Sequence, residues 1–131
     1  MCVVLREEPN HVYAGLLTVL LVTPGCERDD PVSFAADVKP LLDQHCTGCH
    51  VPGQAGYETS GLATDSYAGL MKGTKFGPVV VAGDSFNSTL VVLIEGRADP
   101  SLKMPHGDAR PPTSDEVMTL RTWVEQGAPE N

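Results

Sequence analysis

The sequence is short of aromatic residues, basic residues and long apolar runs. Aromatics make up 5% of its 131 residues, a small supply of large side chains for the core of a small domain. Nine Lys and Arg stand against 17 Asp and Glu, and the net charge of −8 argues against a nucleic-acid-binding domain, which presents a basic patch. No apolar run reaches the roughly 18 residues of a transmembrane helix. The hydrophobic fraction of 41% still indicates one folded domain.

The N-terminus has the pattern of an export signal. Residues 12–22 read VYAGLLTVLLV, which is too short to span a bilayer and suits the apolar core of a signal peptide. Gly25 and Cys26 follow, as at the processing site of a bacterial lipoprotein, where the cysteine becomes the lipidated first residue of the mature protein. Pro24 and the single basic residue Arg6 depart from that pattern, so the alternatives are a plain signal peptide, with Cys26 as an unmodified thiol, or a buried N-terminal helix.

These features divide the chain into three parts. We predict a signal peptide of the lipoprotein type at residues 1–26, a polar tether at 27–32 and one domain at 33–131. The domain is then exported and faces the periplasm, attached to a membrane through a lipid on Cys26.

The motif Cys46-Thr47-Gly48-Cys49-His50 carries the chemistry of this domain. C-x-x-C-H is the attachment signature of c-type haem. The two thiols add to the two haem vinyl groups and form thioethers, and the next residue, His50, becomes the proximal ligand of the iron. The motif therefore predicts one covalent haem c, which also supplies apolar volume that the few aromatics do not.

Other uses of Cys46 and Cys49 give the alternatives. A closed zinc site needs a second ligand pair, and after the leader the chain has no cysteine besides Cys26 and these two. A thioredoxin-type redox motif follows a strand in a βαβ pattern, which is absent here. A disulfide is permitted in an exported protein. The alternative is thus a structural module that uses Cys46 and Cys49 as disulfide or zinc ligands.

Met104 is the predicted distal ligand of the iron. It lies 54 residues after His50 and directly before Pro105, which disfavours helical backbone at Met104. Methionine and histidine are both common axial ligands, so His106, two residues further on, is the rival.

Caps and apolar spacing predict helices at the two ends of the domain. Ser33 is a candidate N-cap for a helix over residues 34–45, in which Pro40 predicts a kink or a late start. Thr113 and Glu116 form a capping box before a second helix, whose apolar face includes Trp123 as a core residue.

The middle of the domain is less regular. Seven glycines between residues 53 and 83 predict loop, with one helical turn near residues 66–71. The apolar run at residues 90–94 fits a buried strand or a buried helix equally well. Met71 and Met118 are expected to fill gaps in the core.

The domain resembles the small monohaem cytochromes c, and more narrowly the cytochrome c domains of planctomycete-type bacterial proteins. The matching stretches lie between residues 34 and 128 and include the haem motif, Met104 with Pro105, and Trp123-Val-Glu-Gln-Gly-Ala. The resemblance implies an all-α, cytochrome c-like fold, with three to four helices around a covalently bound haem and long Gly-rich loops. It implies a helix at residues 90–94 and His50 and Met104 as axial ligands.

The predicted function is electron transfer by a periplasm-facing monohaem c-type cytochrome. It is an electron carrier rather than an enzyme, although it is open whether it serves as a subunit of a larger oxidoreductase. Its redox protein partners are expected to offer a basic docking face, because the chain is acidic. The alternative that keeps the haem is a gas sensor or small oxidase module with a labile distal ligand.

Overall fold

The computed structural model describes residues 30–131. The predicted signal peptide, Cys26 and residues 27–29 of the tether lie outside the described residues. Within this part of the chain the regular structure is helical, and it contains no strand, only an isolated bridge between Thr74 and Gly77. None of its helices has the length and apolar character needed to cross a membrane.

The described residues form five α-helices, so the expected count of three to four was too low. The helices are α1 (Lys39–His45), α2 (Ala55–Ser60), α3 (Tyr67–Lys72), α4 (Thr89–Glu95) and α5 (Ser114–Glu125). A π-helical turn, Phe34–Val38, precedes α1, and a 3-10 turn, Pro100–Leu102, lies between α4 and α5. The all-α prediction is confirmed for these residues.

The first helical segment begins at its predicted cap. The Ser33 hydroxyl oxygen accepts a hydrogen bond from the backbone N–H of Ala36 at 3.2 Å. The π-helical turn comes next, and α1 starts only at Lys39, with Pro40 in its first turn. Proline costs little there because a first-turn N–H has no intrahelical partner. The late start is therefore confirmed.

The middle of the domain contains one helix that the glycine pattern concealed. Helix α2 lies in the stretch predicted as loop, and that prediction was wrong because six residues, one of them glycine, leave no apolar period to detect. Helix α3 covers the predicted turn, capped by the Ser66 hydroxyl, which accepts from Gly69 N–H at 3.1 Å. Helix α4 resolves the apolar run as helix, as the resemblance implied.

The capping box of α5 is present in full. The Thr113 hydroxyl oxygen accepts from the backbone N–H of Glu116 at 3.3 Å, and the Glu116 carboxylate accepts from Thr113 N–H at 2.6 Å. Each contact satisfies an N–H that the first helical turn leaves unpaired. The start of α5 at Ser114 follows from this local pattern.

An aromatic cluster joins the first and last helical segments. The Trp123 side chain is fully buried, and its ring centroid lies 5.6 Å from that of Phe34 and 6.5 Å from that of Tyr67. The Tyr67 hydroxyl donates to the carbonyl of Ala128 at 3.0 Å. These contacts fix α3 and α5 to the π-helical turn and confirm Trp123 as a core residue.

The two other methionines of the domain differ in burial. Met71 is half-buried and packs against the core, as expected. Met118 is 58% exposed, so the prediction that it fills the core was wrong. At about 100° per residue, Met118 lies on the side of α5 opposite the buried Leu120 and Val124.

Candidate functional site

A cavity of about 660 Å³ lies between the cysteine motif and the segment that contains Met104. Its volume is within the range of about 300–1,000 Å³ typical of ligand and cofactor sites. Much of the wall is aliphatic and comes from Leu62, Val79, Leu90, Leu93 and Ile94. The sequence-predicted site residues all line this cavity: Cys46, Cys49, His50, Met104 and His106.

The cysteine motif forms a tight turn at the end of α1. The carbonyl of Cys46 accepts hydrogen bonds from the backbone N–H groups of Cys49 at 3.0 Å and His50 at 2.9 Å. The turn therefore keeps Cys46, Cys49 and His50 close together. Both thiols are free, with Cys46 half-buried and Cys49 exposed. Burial, together with the nearby Cys49, raises the pKa of Cys46 to about 11, so this thiol keeps its proton at neutral pH.

His50 presents an imidazole with an unsatisfied nitrogen. Its Nδ1 atom is buried and has no hydrogen-bond partner within the described residues. Burial, and secondarily the charge of His106, lowers the pKa of His50, against a hydrogen bond with the backbone of Leu62. The ring is therefore neutral at neutral pH, which is the form that ligates metals. A buried polar atom without a partner is uncommon in a folded protein and indicates that something else completes the site.

Helix α2 packs directly against the His50 ring at Gly56. A β-carbon at Gly56 would lie 2.7 Å from the Cys49 carbonyl oxygen, 2.9 Å from His50 Cε1 and 3.0 Å from His50 Nδ1. Contacts this short require the neighbour to move, and here the neighbours are backbone and a half-buried ring. Gly56 is thus a site residue that sequence reasoning missed, because nothing local separates it from the other glycines of this stretch.

Thr64 is a second residue that the sequence did not reveal. Its side chain is 1% exposed. Its backbone N–H donates to the His50 carbonyl at 2.9 Å, and its hydroxyl donates to the same oxygen at 3.3 Å. The Thr64 hydroxyl also lies 3.2 Å from the Thr47 hydroxyl inside the motif. Thr64 thereby anchors the backbone of His50 although the two residues are 14 positions apart in sequence.

The distal loop, residues 104–113, starts from a fixed point on α4. The backbone N–H of Met104 donates at 3.1 Å to the Leu93 carbonyl, which also accepts from the Gly96 N–H at the end of α4. The Lys103 stem crosses Gly96, where a β-carbon would lie 3.1 Å from Lys103 Cδ. Met104 is half-buried against the core, whereas His106 is exposed.

The donor set and the cavity fit a covalently attached haem. Two free thiols, a neutral imidazole with an unpartnered nitrogen and a thioether surround an apolar space of cofactor size. Within residues 30–131, no three His, Cys, Asp or Glu side chains are close enough together to hold a metal ion.

Comparison with known protein families agrees with this composition of the site. Residues 46–108 match the family model described as Planctomycete cytochrome C, a stretch that includes every residue of the candidate donor set. Searches of curated proteins and of solved structures gave no match. The match supports a planctomycete-type cytochrome c domain in this stretch and confirms the resemblance seen in the sequence. A domain of this family implies a haem cofactor and is consistent with an electron carrier rather than a catalytic enzyme.

Proposed function

We propose that this protein is an exported monohaem c-type cytochrome that passes single electrons between redox partners. The observation that carries the proposal is the convergence of Cys46, Cys49, His50 and Met104 on one apolar cavity. A haem bound there supplies an iron that cycles between Fe(III) and Fe(II). The protein's own residues attach it, ligate it and exclude water from it.

Attachment uses the two thiols of the motif. Each sulfur would add to one carbon of a vinyl C=C bond and the thiol proton to the other carbon, an addition that needs no oxidant. The turn closed by the Cys46 carbonyl keeps Cys49 and His50 within one turn of Cys46. A haem held by the two cysteines would therefore lie within reach of the His50 ring.

The surroundings of His50 prepare it as the proximal ligand. Burial keeps its imidazole neutral, so no proton has to leave before ligation. Gly56 supports one edge of the ring, and Thr64 fixes the backbone beneath it. Ring orientation is thus set by the protein before the metal arrives.

Burial supports Met104 over His106 as the distal ligand. Met104 packs against the hydrophobic core at a backbone position fixed on α4, whereas His106 is exposed. A thioether ligand favours reduced iron and raises the reduction potential relative to a second histidine. The aliphatic walls act in the same direction, because a low-dielectric shell disfavours the added charge of Fe(III).

Export and attachment to a membrane complete the proposal. Its support is the apolar run that ends at Gly25 and Cys26. The domain would then exchange electrons with redox proteins in the periplasm while a lipid on Cys26 holds it at a membrane surface. The net charge of −8 supports partners with a basic docking face.

Purification from a host that matures c-type cytochromes tests the proposal. Acidified acetone should leave the haem on the polypeptide, and intact-mass spectrometry should find one haem and a lipidated Cys26. The double variant C46A/C49A should lose covalent haem, whereas the matched control Cys26→Ser should keep it and lose only the lipid. A colourless wild-type polypeptide after extraction contradicts the haem proposal. A free N-terminus downstream of Cys26 contradicts lipidation alone.

A further inference from the structure

His45 directly precedes the cysteine motif and has a buried side chain. It is the last residue of α1, yet its side chain is only 3% exposed. Its Nδ1 atom lies 3.0 Å from the backbone carbonyl oxygen of Arg110. A carbonyl oxygen only accepts, so Nδ1 carries a proton and donates it to this hydrogen bond. The bond spans 65 residues and joins α1 to the distal loop.

The bond to His45 matters because the distal loop has little else to hold it. Within the described part of the chain, no other hydrogen bond connects residues 105–112 to the rest of the protein. The loop is fixed at its start by Met104 N–H on the Leu93 carbonyl and at its end by the Thr113 cap of α5. His45 therefore supplies the hydrogen-bonded support between those two points.

Glu116 holds the opposite edge of the His45 ring. The His45 Nε2 atom is buried without a hydrogen-bond partner and lies 3.4 Å from Glu116 Oε2. The same carboxylate accepts from Thr113 N–H at 2.6 Å, and its other oxygen lies 3.6 Å from Arg110 Nη2. The ring is thus placed between the loop end and the start of α5, with both nitrogens facing acceptors.

We propose that His45 is a positioning residue that holds the distal loop, and with it the distal ligand, against the helix that carries the cysteine motif. The inference rests on the proposed haem function. It assigns to this histidine a role distinct from ligation: it keeps the distal side of the iron closed. The role is independent of whether Met104 or His106 is the ligand, because the same loop carries both residues.

The expected size of the effect follows from the loop equilibrium. An exogenous ligand binds iron only when the distal ligand has detached, so its apparent affinity scales with the open fraction of the loop. Loss of the hydrogen bond that the buried His45 ring donates to the Arg110 carbonyl should raise that fraction roughly five- to tenfold. The change should appear as tighter binding of carbon monoxide to the ferrous protein by the same factor.

A nearly isosteric pair of variants tests the proposal in the holoprotein. His45→Leu removes the donor and should raise carbon monoxide affinity roughly five- to tenfold. It should also weaken any far-red sulfur-to-iron absorption band and speed amide hydrogen exchange in residues 105–113. His45→Asn keeps an N–H donor and should largely restore all three readouts. Lys39→Gln, which breaks the ion pair between Lys39 and Asp43 on the same helix, is the matched control and should change none of them.

The outcomes separate this inference from the proposed function. Unchanged carbon monoxide affinity and exchange in His45→Leu would overturn the role of His45 while leaving the cytochrome intact. An equal loss in His45→Asn would assign the effect to ring packing and also overturn it. A wild-type protein without covalent haem would overturn the proposed function and this inference together. His45→Ala removes the same donor with a smaller side chain and replaces the leucine variant if that variant does not mature.

Discussion

At the scale of single residues, the site depends on how each residue that would attach or ligate haem is held in place, and not only on its identity. His50 is supported by Gly56 and Thr64, neither of which would attach or ligate haem. Met104 is placed by its own backbone N–H and by the stem of the preceding Lys103 across Gly96. Gly96 has a φ of 69°, a conformation that residues with a β-carbon rarely adopt, so the close approach of Lys103 and the turn both require glycine.

Replacement of Met104 is expected to change the iron's ligation. Met104→Ala should abolish the weak far-red sulfur-to-iron band of the oxidised protein and open the ferrous iron to carbon monoxide. The reduction potential should fall by roughly 0.1 V, within the range of about 0.8 V that axial ligands set. Met104→His should keep six ligands and still lower the potential, because imidazole stabilises Fe(III) better than a thioether does. Absorption spectroscopy and redox titration measure these effects.

His106→Ala is the matched control for Met104. It lies on the same loop and is exposed, so the band and the potential should stay close to those of the wild type. If His106→Ala alters both while Met104→Ala alters neither, the distal ligand is His106 and the potential is that of a bis-histidine haem. Binding of carbon monoxide by the unaltered protein at neutral pH as tightly as by Met104→Ala would favour the sensor or oxidase alternative.

At the scale of elements, the capping box of α5 links helix stability to pH. The backbone hydrogen bond from Thr113 is the largest cause that lowers the pKa of Glu116 below its ordinary value of 4.5, and His45 contributes further. Because the folded pKa is depressed, the carboxylate's contribution is complete above about pH 4.5 and is lost as the pH falls through the folded value. The free energy of unfolding should therefore decrease on acidification below that point.

Two variants of α5 test this contribution by chemical denaturation between pH 3 and pH 7. Thr113→Ala should lower the free energy of unfolding by about 1 kcal/mol at neutral pH, the usual loss for an N-cap. Glu116→Gln keeps the capping geometry and should flatten the acid dependence. The Asp115 side chain, in the same helical turn, makes no hydrogen bond within residues 30–131. Asp115→Asn should therefore leave the contribution of the capping box intact. An acid dependence unchanged in Glu116→Gln would contradict the argument.

The same elements show how far sequence reasoning reaches. The starts at Ser33 and Thr113 were predictable because a cap and its partner lie three residues apart. Helix α2 was not, since it is stabilised by tertiary contacts, among them Tyr57 N–H on the Cys49 carbonyl at 3.1 Å. The haem-attachment motif could be predicted because its residues have a fixed spacing within a short stretch of sequence. The remaining features could not be predicted, because each of them joins residues that are distant in sequence and no local pattern indicates such contacts. They are the contact of Thr64 with His50, the hydrogen bond from His45 to the distal loop, and the cavity walls.

At the scale of the whole molecule, the few aromatic residues of the core are concentrated in one part of the structure. The Phe34, Tyr67 and Trp123 rings cluster where the π-helical turn, α3 and α5 meet. The aliphatic side chains of α4, together with Leu62 and Val79, instead surround the cavity. A haem in that cavity would complete the second half of the core with a rigid apolar disc, which explains how so small a domain is stabilised with few large side chains.

The basic side chains of the surface that a redox partner would contact are not all paired with carboxylates. Among residues 30–131, four cations lie within 4.0 Å of a carboxylate: Lys39, Arg97, Arg110 and Arg121. Lys72, Lys75 and Lys103 have no such partner in this part of the chain. Two of them adjoin residues of the cavity wall, Phe76 next to Lys75 and Met104 next to Lys103. The long-range field is negative, whereas unpaired positive groups lie near the site.

The salt dependence of electron transfer shows whether the net charge of the molecule or the lysines near the site guide the approach of the redox partner. If the net negative charge dominates, rising salt should slow oxidation by a cationic cobalt(III) complex and speed oxidation by anionic ferricyanide, each by roughly tenfold in stopped-flow measurements. Lys75→Gln and Lys103→Gln should then enlarge both effects only slightly, because each removes one charge from a field made by many. If salt instead slows ferricyanide, and the two lysine variants abolish that effect, the local lysines control docking. The redox partner would then carry an acidic face rather than the basic face proposed here.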